Sequence, residues 1–487
     1  MRTLTLRQPA TGARGEPGAG AVTAMTGGVA SLAALLVVTA LAALLLAAAA
    51  AQAVTLPGDV LWQKTTVRSG STGFVELARG PRGVVYAVGA RDYTTGGKAC
   101  ECIVLAKYNA SGRLLWQRSL AGGAIPTGSE GSGIAVDAAG NATVIGYKST
   151  KTHGGDIVVA RYSPGGKLLW TRTYNGAADD TDQAFDVTLD RGGNALVAGE
   201  TATAVHGSDL LLLKYAARTG RRVWKYTYNN AAANLDEGAN AVVVDRKGAS
   251  YVTGWSAGTG NSDGAVPVIK VSAAGKALWK QRLQIGHWGN AGRIALDSAG
   301  SVVVGGDCIG PGDDRDLFAI KLRPASGTQV WAAPAMLASW AYDQTLNDMV
   351  VGIGHDDIYL VGGSLGPVPM GVIAAYKSTG AELWHTFYTP DNYVSGSLAW
   401  TAVARDAHDD LFVAGRDESP SNSTFEVGKA DWDGTWPLWQ TRIQGSLSGN
   451  TIPMDMLWTS GSTGGVYACG VLTKAGHDYA YIAKLKP

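Results

Sequence analysis

The chain has 487 residues, a formal net charge of +1 and only 17% charged residues. That balance gives no reason to expect nucleic acid, which wants a basic face. With 46% hydrophobic residues it also excludes a disordered chain, which needs low hydrophobicity and high net charge.

Residues 1–53 read as a separate segment. Arg2, Arg7 and Arg14 precede an unbroken apolar run from Ala30 to Ala50, closed by Ala51-Gln52-Ala53. A basic start, an apolar run and a small-x-small site predict a secretory leader that is cut off. Left uncut, the same run is long enough to anchor in a bilayer. The mature protein, residues 54–487, is therefore expected outside the cytoplasm, secreted or at the cell surface.

From there one phrase recurs, as in SGRLLWQRSL, GGKLLWTRTY and TGRRVWKYTY. Aligning on its tryptophan gives Trp62, Trp116, Trp170, Trp224, Trp279, Trp331, Trp384 and Trp439. The steps are 54, 54, 54, 55, 52, 53 and 55 residues. A fixed period of that length means a propeller or solenoid. Within one unit, AFDVTLD, ALVAGET, DLLLLKY and RRVWKYTY are short, β-rich and separated by turn residues. Each is a strand signal. The prediction is an all-β fold, an eight-bladed β-propeller of four-stranded antiparallel blades. The last unit ends on a third strand, DYAYIAKLKP, and the first segment after the leader, from Asp59 to Thr66, is a lone fourth strand. The N-terminal strand is expected to complete the last blade and close the ring.

The repeated tryptophans are expected to seal one blade against the next. Lys107, Arg161, Lys214, Lys270, Lys321 and Lys429 precede the tryptophan by nine or ten places, with Lys484 at the matching place. Asp137, Asp190, Asp245, Asp297 and Asp406 end the first strands. Both sets are expected at one end of the blades as turn caps and ion pairs.

Units such as IAVDAAGNATVIGYKST followed by GGDIVVARYSPGGKLLW resemble the SBBP-type bacterial β-propeller repeats. The pieces ASGRLLW, ARTGRRVW and ASGTQVW are similar to the tryptophan-docking motif of PQQ-like repeats. The resemblance covers nearly all of residues 59–487 and blurs from Cys308 onward. It implies an exported eight-bladed propeller and little about activity, because the fold hosts many functions.

The first-to-second and third-to-fourth connections are tight, whereas the others are long and all differ. Irregularity on one face of a rigid scaffold is where binding usually lives. On that face Trp288, Trp340, Tyr342, Tyr393 and Trp400 are candidates for stacking on a sugar or an apolar ligand. Glu130, Asp182, Glu237 and Asp343, before first strands, are candidate Ca²⁺ ligands. His153, His206 and His477 lie close to an Asp, a pattern for local turn bonding or zinc. Cys100, Cys102, Cys308 and Cys469 form no CxxC motif and are expected as structural bridges or buried thiols. No nucleophile elbow, HExxH or phosphate loop is present.

The sequence thus points to an exported, monomeric binding scaffold for an extracellular glycan or an envelope protein. The enzyme alternative is a PQQ-dependent quinoprotein dehydrogenase holding Ca²⁺. The chain lacks the adjacent cysteines that such enzymes commonly carry.

Overall fold

The computed structural model describes residues 56–487, apart from 66–71, 96–97, 122–132, 150–153, 231–233, 260–263, 311–312, 336–342, 366–368, 389–396, 419–422, 435–436, 444–450, 462–463 and 475–476. The leader read from residues 1–53 lies outside them. No helix among the described residues is long and apolar enough to cross a membrane.

The fold is all-β, built from successive four-stranded antiparallel sheets. In chain order they span 72–121, 133–174, 182–228, 237–283, 288–335, 343–388 and 397–443, here called sheets 1 to 7. Sheets 6 and 7 are joined by a single bridge between Gly363 and Ala399. The eighth group, sheet 8, has three strands from 451–485, and its fourth is the N-terminal strand Val60–Thr65. Trp62 pairs with Lys484 and Gln63 with Ala483 in that strand pair.

The core is divided between sheets rather than within them. Each apolar cluster draws on two neighbours: Tyr86, Ile103, Ile134 and Ala160 join sheets 1 and 2. Leu196, Leu212, Val242 and Ile269 join sheets 3 and 4. Phe74, Cys102, Tyr467 and Ile482 join sheet 1 to sheet 8. Alternation along each strand supplies one set of side chains to each seam.

The repeated tryptophan does more than pack. In every repeat but that of Trp439, whose indole N–H has no partner among the described residues, the N–H donates to a carbonyl in the third-to-fourth turn of the next sheet. Trp116 reaches Pro164 O at 2.9 Å, Trp170 reaches Ala217 O at 2.9 Å and Trp279 reaches Pro324 O at 3.1 Å. The cross-strand lysine often donates to the same oxygen: Lys107 to Pro164 O at 2.9 Å, and Lys270 to Pro324 O at 2.8 Å. The ring lies over a glycine of that turn. Gly220 has φ +64°, and a Cβ there would lie 2.6 Å from Trp170. Only glycine meets both demands without strain.

The same latch spans the ends of the chain. Trp62 Nε1 and Lys484 Nζ, both in sheet 8, donate to Ala110 O of sheet 1 at 3.0 and 3.4 Å. The turn that sheet 8 would need between its third and fourth strands is replaced by paired chain ends. Gly58 N donates to Lys486 O at 2.8 Å, and Lys486 N to Asp59 O at 2.9 Å. Gly58, at φ +85°, takes the turn glycine's place beneath Trp439.

The Lys/Arg and Asp sets meet where the repeat placed them. Lys214 Nζ lies 2.8 Å from Asp190, Lys321 lies 2.8 Å from Asp297, and Arg161 lies 2.5 Å from Asp137. Asp190 also accepts from the backbone N–H groups of Gly192 and Asn194, both at 2.9 Å. Burial alone would raise its pKa, but Lys214 and Asn194 hold it below the usual carboxylate range. A carboxyl depressed on folding contributes stability that is present above the ordinary carboxylate pKa and lost as pH falls through the folded value. Asp190→Ala is expected to cost about 2–3 kcal/mol, because it strips a turn and leaves Lys214 unpaired in a seam. Urea unfolding at pH 7 measures this, and the difference from wild type should shrink toward pH 3.

Cys102, Cys308 and Cys469 are buried thiols with no disulfide. The side chain of Cys100 lies outside the described residues.

Candidate functional site

The first strand of a sheet carries a β-bulge at one recurring place. The bulged residues are Val75, Phe185, Asn240, Gly292, Asn347, Thr401 and Met454. Opposite the bulge the second strand holds a glycine. At Gly199 a Cβ would lie 1.9 Å from Gln183 O, and at Gly362 it would lie 1.9 Å from Thr345 O. A bulge bends its strand and re-aims the side chains around it.

What the bulges aim is a set of charges around a cavity of about 520 Å³, lined among the described residues by all sheets except sheet 2. Glu76, Asp186, Asp348 and Asp455 follow bulges in sheets 1, 3, 6 and 8, and Arg293 holds the same place in sheet 5. Each carboxylate reaches into the next sheet's first strand and accepts a backbone N–H. Glu76 accepts from Ile134 at 3.0 Å, Asp186 from Val242 at 2.7 Å, Asp348 from Val403 at 3.0 Å and Asp455 from Leu77 at 2.6 Å. Arg293 Nε donates to Asp348 at 2.9 Å. Asn240 Nδ2 donates to Asn290 at 2.7 Å and to Ala291 O at 3.0 Å, joining sheets 4 and 5 without charge.

Burial and crowding govern the protons here. Burial, then the charges of Asp455 and Asp186, push Glu76 well above the usual carboxylate range. Burial, with the Asp348 charge, pushes Asp455 up to about 7 against the N–H groups of Leu77 and Met456 and the Arg293 charge. Asp186 is raised by burial. The arrangement can hold protons, donate or accept hydrogen bonds to a polar guest, and tie neighbouring sheets together.

The expected stacking surface divides. Trp340, Tyr342 and Tyr393 lie outside the described residues. Trp288 is half-buried at the start of its strand, with the Arg315 guanidinium 5.9 Å from its ring. Arg315 pairs with Asp307 at 3.5 Å, and its backbone N–H donates to Asp343 at 2.9 Å. Trp400 is not a surface ring. It has 0% exposure and packs with Tyr388, ring centroids 5.7 Å apart, in the core of sheets 6 and 7. It belongs to a first strand, where alternation turns it into the seam.

Of the four acids read as a Ca²⁺ set, the three described ones are not brought together. Glu130 lies outside the described residues. Asp182 is buried in its own seam, accepting Gly176 N at 2.5 Å, and Glu237 is buried in another, accepting Ser256 Oγ at 3.1 Å. Asp343 is exposed. Among the described residues no three His, Cys, Asp or Glu gather where a metal could be held. His206 bonds Asn229 at 2.7 Å beside Asp209, a local turn arrangement. His153 lies outside the described residues, and His477 is exposed.

PQQ does not suit the cavity. It is a tricarboxylate, and among the described residues the walls present four carboxyls against one guanidinium, already tied to Asp348.

Sequence reading missed the cavity carboxylates. Their signal was a charged residue within an otherwise apolar strand, as in AFDVTL.

Residues 101–321 match the family model described as outer membrane protein assembly factor BamB. A search of curated proteins returns no match. Among solved structures, the chain is similar to quinohemoprotein alcohol dehydrogenase from Comamonas testosteroni. The TM-score is 0.54 at 11% identity, over 87% of this chain and 76% of that one. It is also similar to Sqt1 from Chaetomium thermophilum, with a TM-score of 0.50 at 10% identity, over 89% of this chain and all of that one. At such identities the likeness is one of fold. With the repeated tryptophan latch and the four-stranded sheets, these matches support a PQQ-like β-propeller repeat protein, the family model covering residues 101–321.

Proposed function

We propose that the chain forms a closed ring of eight blades, is exported with residues 1–53 as leader, and works as a monomeric binding scaffold. Its ligand is an extracellular polysaccharide or an envelope protein held on the long-loop face. The observation that carries this reading is the asymmetry of the two ends. At one end the third-to-fourth turns repeat the same tryptophan latch from sheet to sheet. At the other the connections share no pattern, and Trp288 and Arg315 form a partly open stacked pair. A rigid end and a variable end suit a scaffold that presents a surface.

A thermal-shift screen of residues 54–487 tests it. A ligand that binds only the native state adds about 2.7 kcal/mol of stability at a hundred times its Kd. Soluble neutral and acidic polysaccharides are expected to raise Tm, and Trp288→Ala is expected to reduce that rise while leaving the unliganded Tm within about 1 °C. A rise with PQQ and Ca²⁺ instead would replace this reading with the dehydrogenase one.

A further inference from the structure

The seam between sheet 1 and sheet 8 differs from the others in what faces across it. Glu76 and Asp455 both follow bulges, stand on adjacent first strands and repel each other. Asp455 spans the seam to Leu77 N at 2.6 Å, while Glu76 reaches away from it to Ile134 N at 3.0 Å. The groups around the pair are few. From sheet 3 comes Asp186, from sheet 5 Arg293, from sheet 6 Asp348 and from sheet 8 the buried thiol of Cys469. Arg293 is the one cation lining the cavity among the described residues, and Asp348 holds it at 2.9 Å. Two half-buried carboxyls that face one cavity and repel each other do not ionise independently, and the second proton leaves only at higher pH.

We propose that the seam joining the first and last sheets is a proton-operated joint, tight while at most one of Glu76 and Asp455 is ionised and loosened when both are charged. The sign follows from linkage. Both carboxyls lie above their ordinary range in the folded protein, Asp455 at about 7. Their contribution is complete below the ordinary carboxylate pKa and is lost as pH rises through the folded values. This is opposite to the behaviour at Asp190. Loosening is expected at this seam because the strand Val60–Thr65, which completes sheet 8, is held to it only by non-covalent pairing with the C-terminal strand.

Hydrogen exchange of the mature chain, residues 54–487, between pH 6 and pH 8 is the test. After correction for intrinsic base catalysis, peptides containing Leu77 and residues 60–65 are expected to exchange about tenfold faster at pH 8. Peptides containing Ala291, clasped by the neutral Asn240, are expected not to change. Asp455→Asn keeps an acceptor for Leu77 N and removes the charge, so it should abolish the rise. Glu76→Gln should do the same and serves if the first variant does not fold. An equal rise at Ala291, no rise at Leu77, or a rise that survives in both variants would overturn the proposal.

Discussion

A chain beginning at Val67 is expected to lose on the order of 5 kcal/mol of stability, and to aggregate on mild heating. The truncation removes the fourth strand of sheet 8. The C-terminal strand then has an unpaired edge along Tyr481 to Leu485. It also removes Trp62, which packs against Tyr467 and Tyr108 with ring centroids 5.8 and 6.4 Å away. Trp62 is partly buried, so its loss alone costs less than a fully buried tryptophan's about 3–5 kcal/mol. The Ala110 carbonyl loses its indole donor, and Trp439 loses Gly58 beneath it. Urea unfolding measures the loss. Proteolysis locates it, with early cleavage expected within 451–485. A truncated chain as stable and as resistant as residues 54–487 would mean that the fold does not depend on this strand.

Gly199→Ala is expected to be nearly as damaging, at about 3 kcal/mol or more, although it adds one methyl group. The added Cβ would lie 1.9 Å from Gln183 O and 2.8 Å from Ala184 Cα. These are backbone atoms of the bulged strand, so no side chain can swing aside. Relief requires moving the bulge, and with it the Asp186 bond to Val242. Overpacking of this kind typically costs 1–3 kcal/mol when side chains can adjust. A control is Gly300→Ala, where nothing lies within 4 Å but φ is +82°. That variant should cost about 1 kcal/mol, the penalty of a left-handed backbone alone. Comparing the two by urea unfolding separates collision from conformation.

Much of this architecture was legible because it repeats. The tryptophan period announced the sheets, and the unpaired strands at the two ends announced their pairing. Lys214 with Asp190, and Lys321 with Asp297, were readable because both partners recur at fixed offsets in one unit. The cavity charges were harder to read. Glu76, Asp186, Arg293, Asp348 and Asp455 recur in position but not in type, and Ala241 and Ala402 stand at the same place. Their partners lie in the next unit, so the bonds depend on how sheets stack rather than on any strand's own pattern. Trp400 shows the same limit. Next to a variable connection it reads as a loop aromatic, and only the strand's alternation turns it inward against Tyr388. The turn glycines were read as turn formers. That they are also the floor under the neighbouring unit's tryptophan required the packed structure.

Closure across the chain ends is the claim on which the binding scaffold and the proton-operated joint both rest. Gln63 and Ala483 are registered partners in the pairing that makes it. The most direct measurement is oxidation of a Gln63→Cys, Ala483→Cys double variant, read by mass spectrometry of the monomer fraction after digestion. Of the four native thiols, Cys102, Cys308 and Cys469 are buried and should not compete, and Cys100 is replaced by Ser throughout. The account predicts a peptide pair joining residues 63 and 483 within one chain, with Tm raised relative to the reduced form. Absence of that cross-link, or its appearance only between chains, would contradict it.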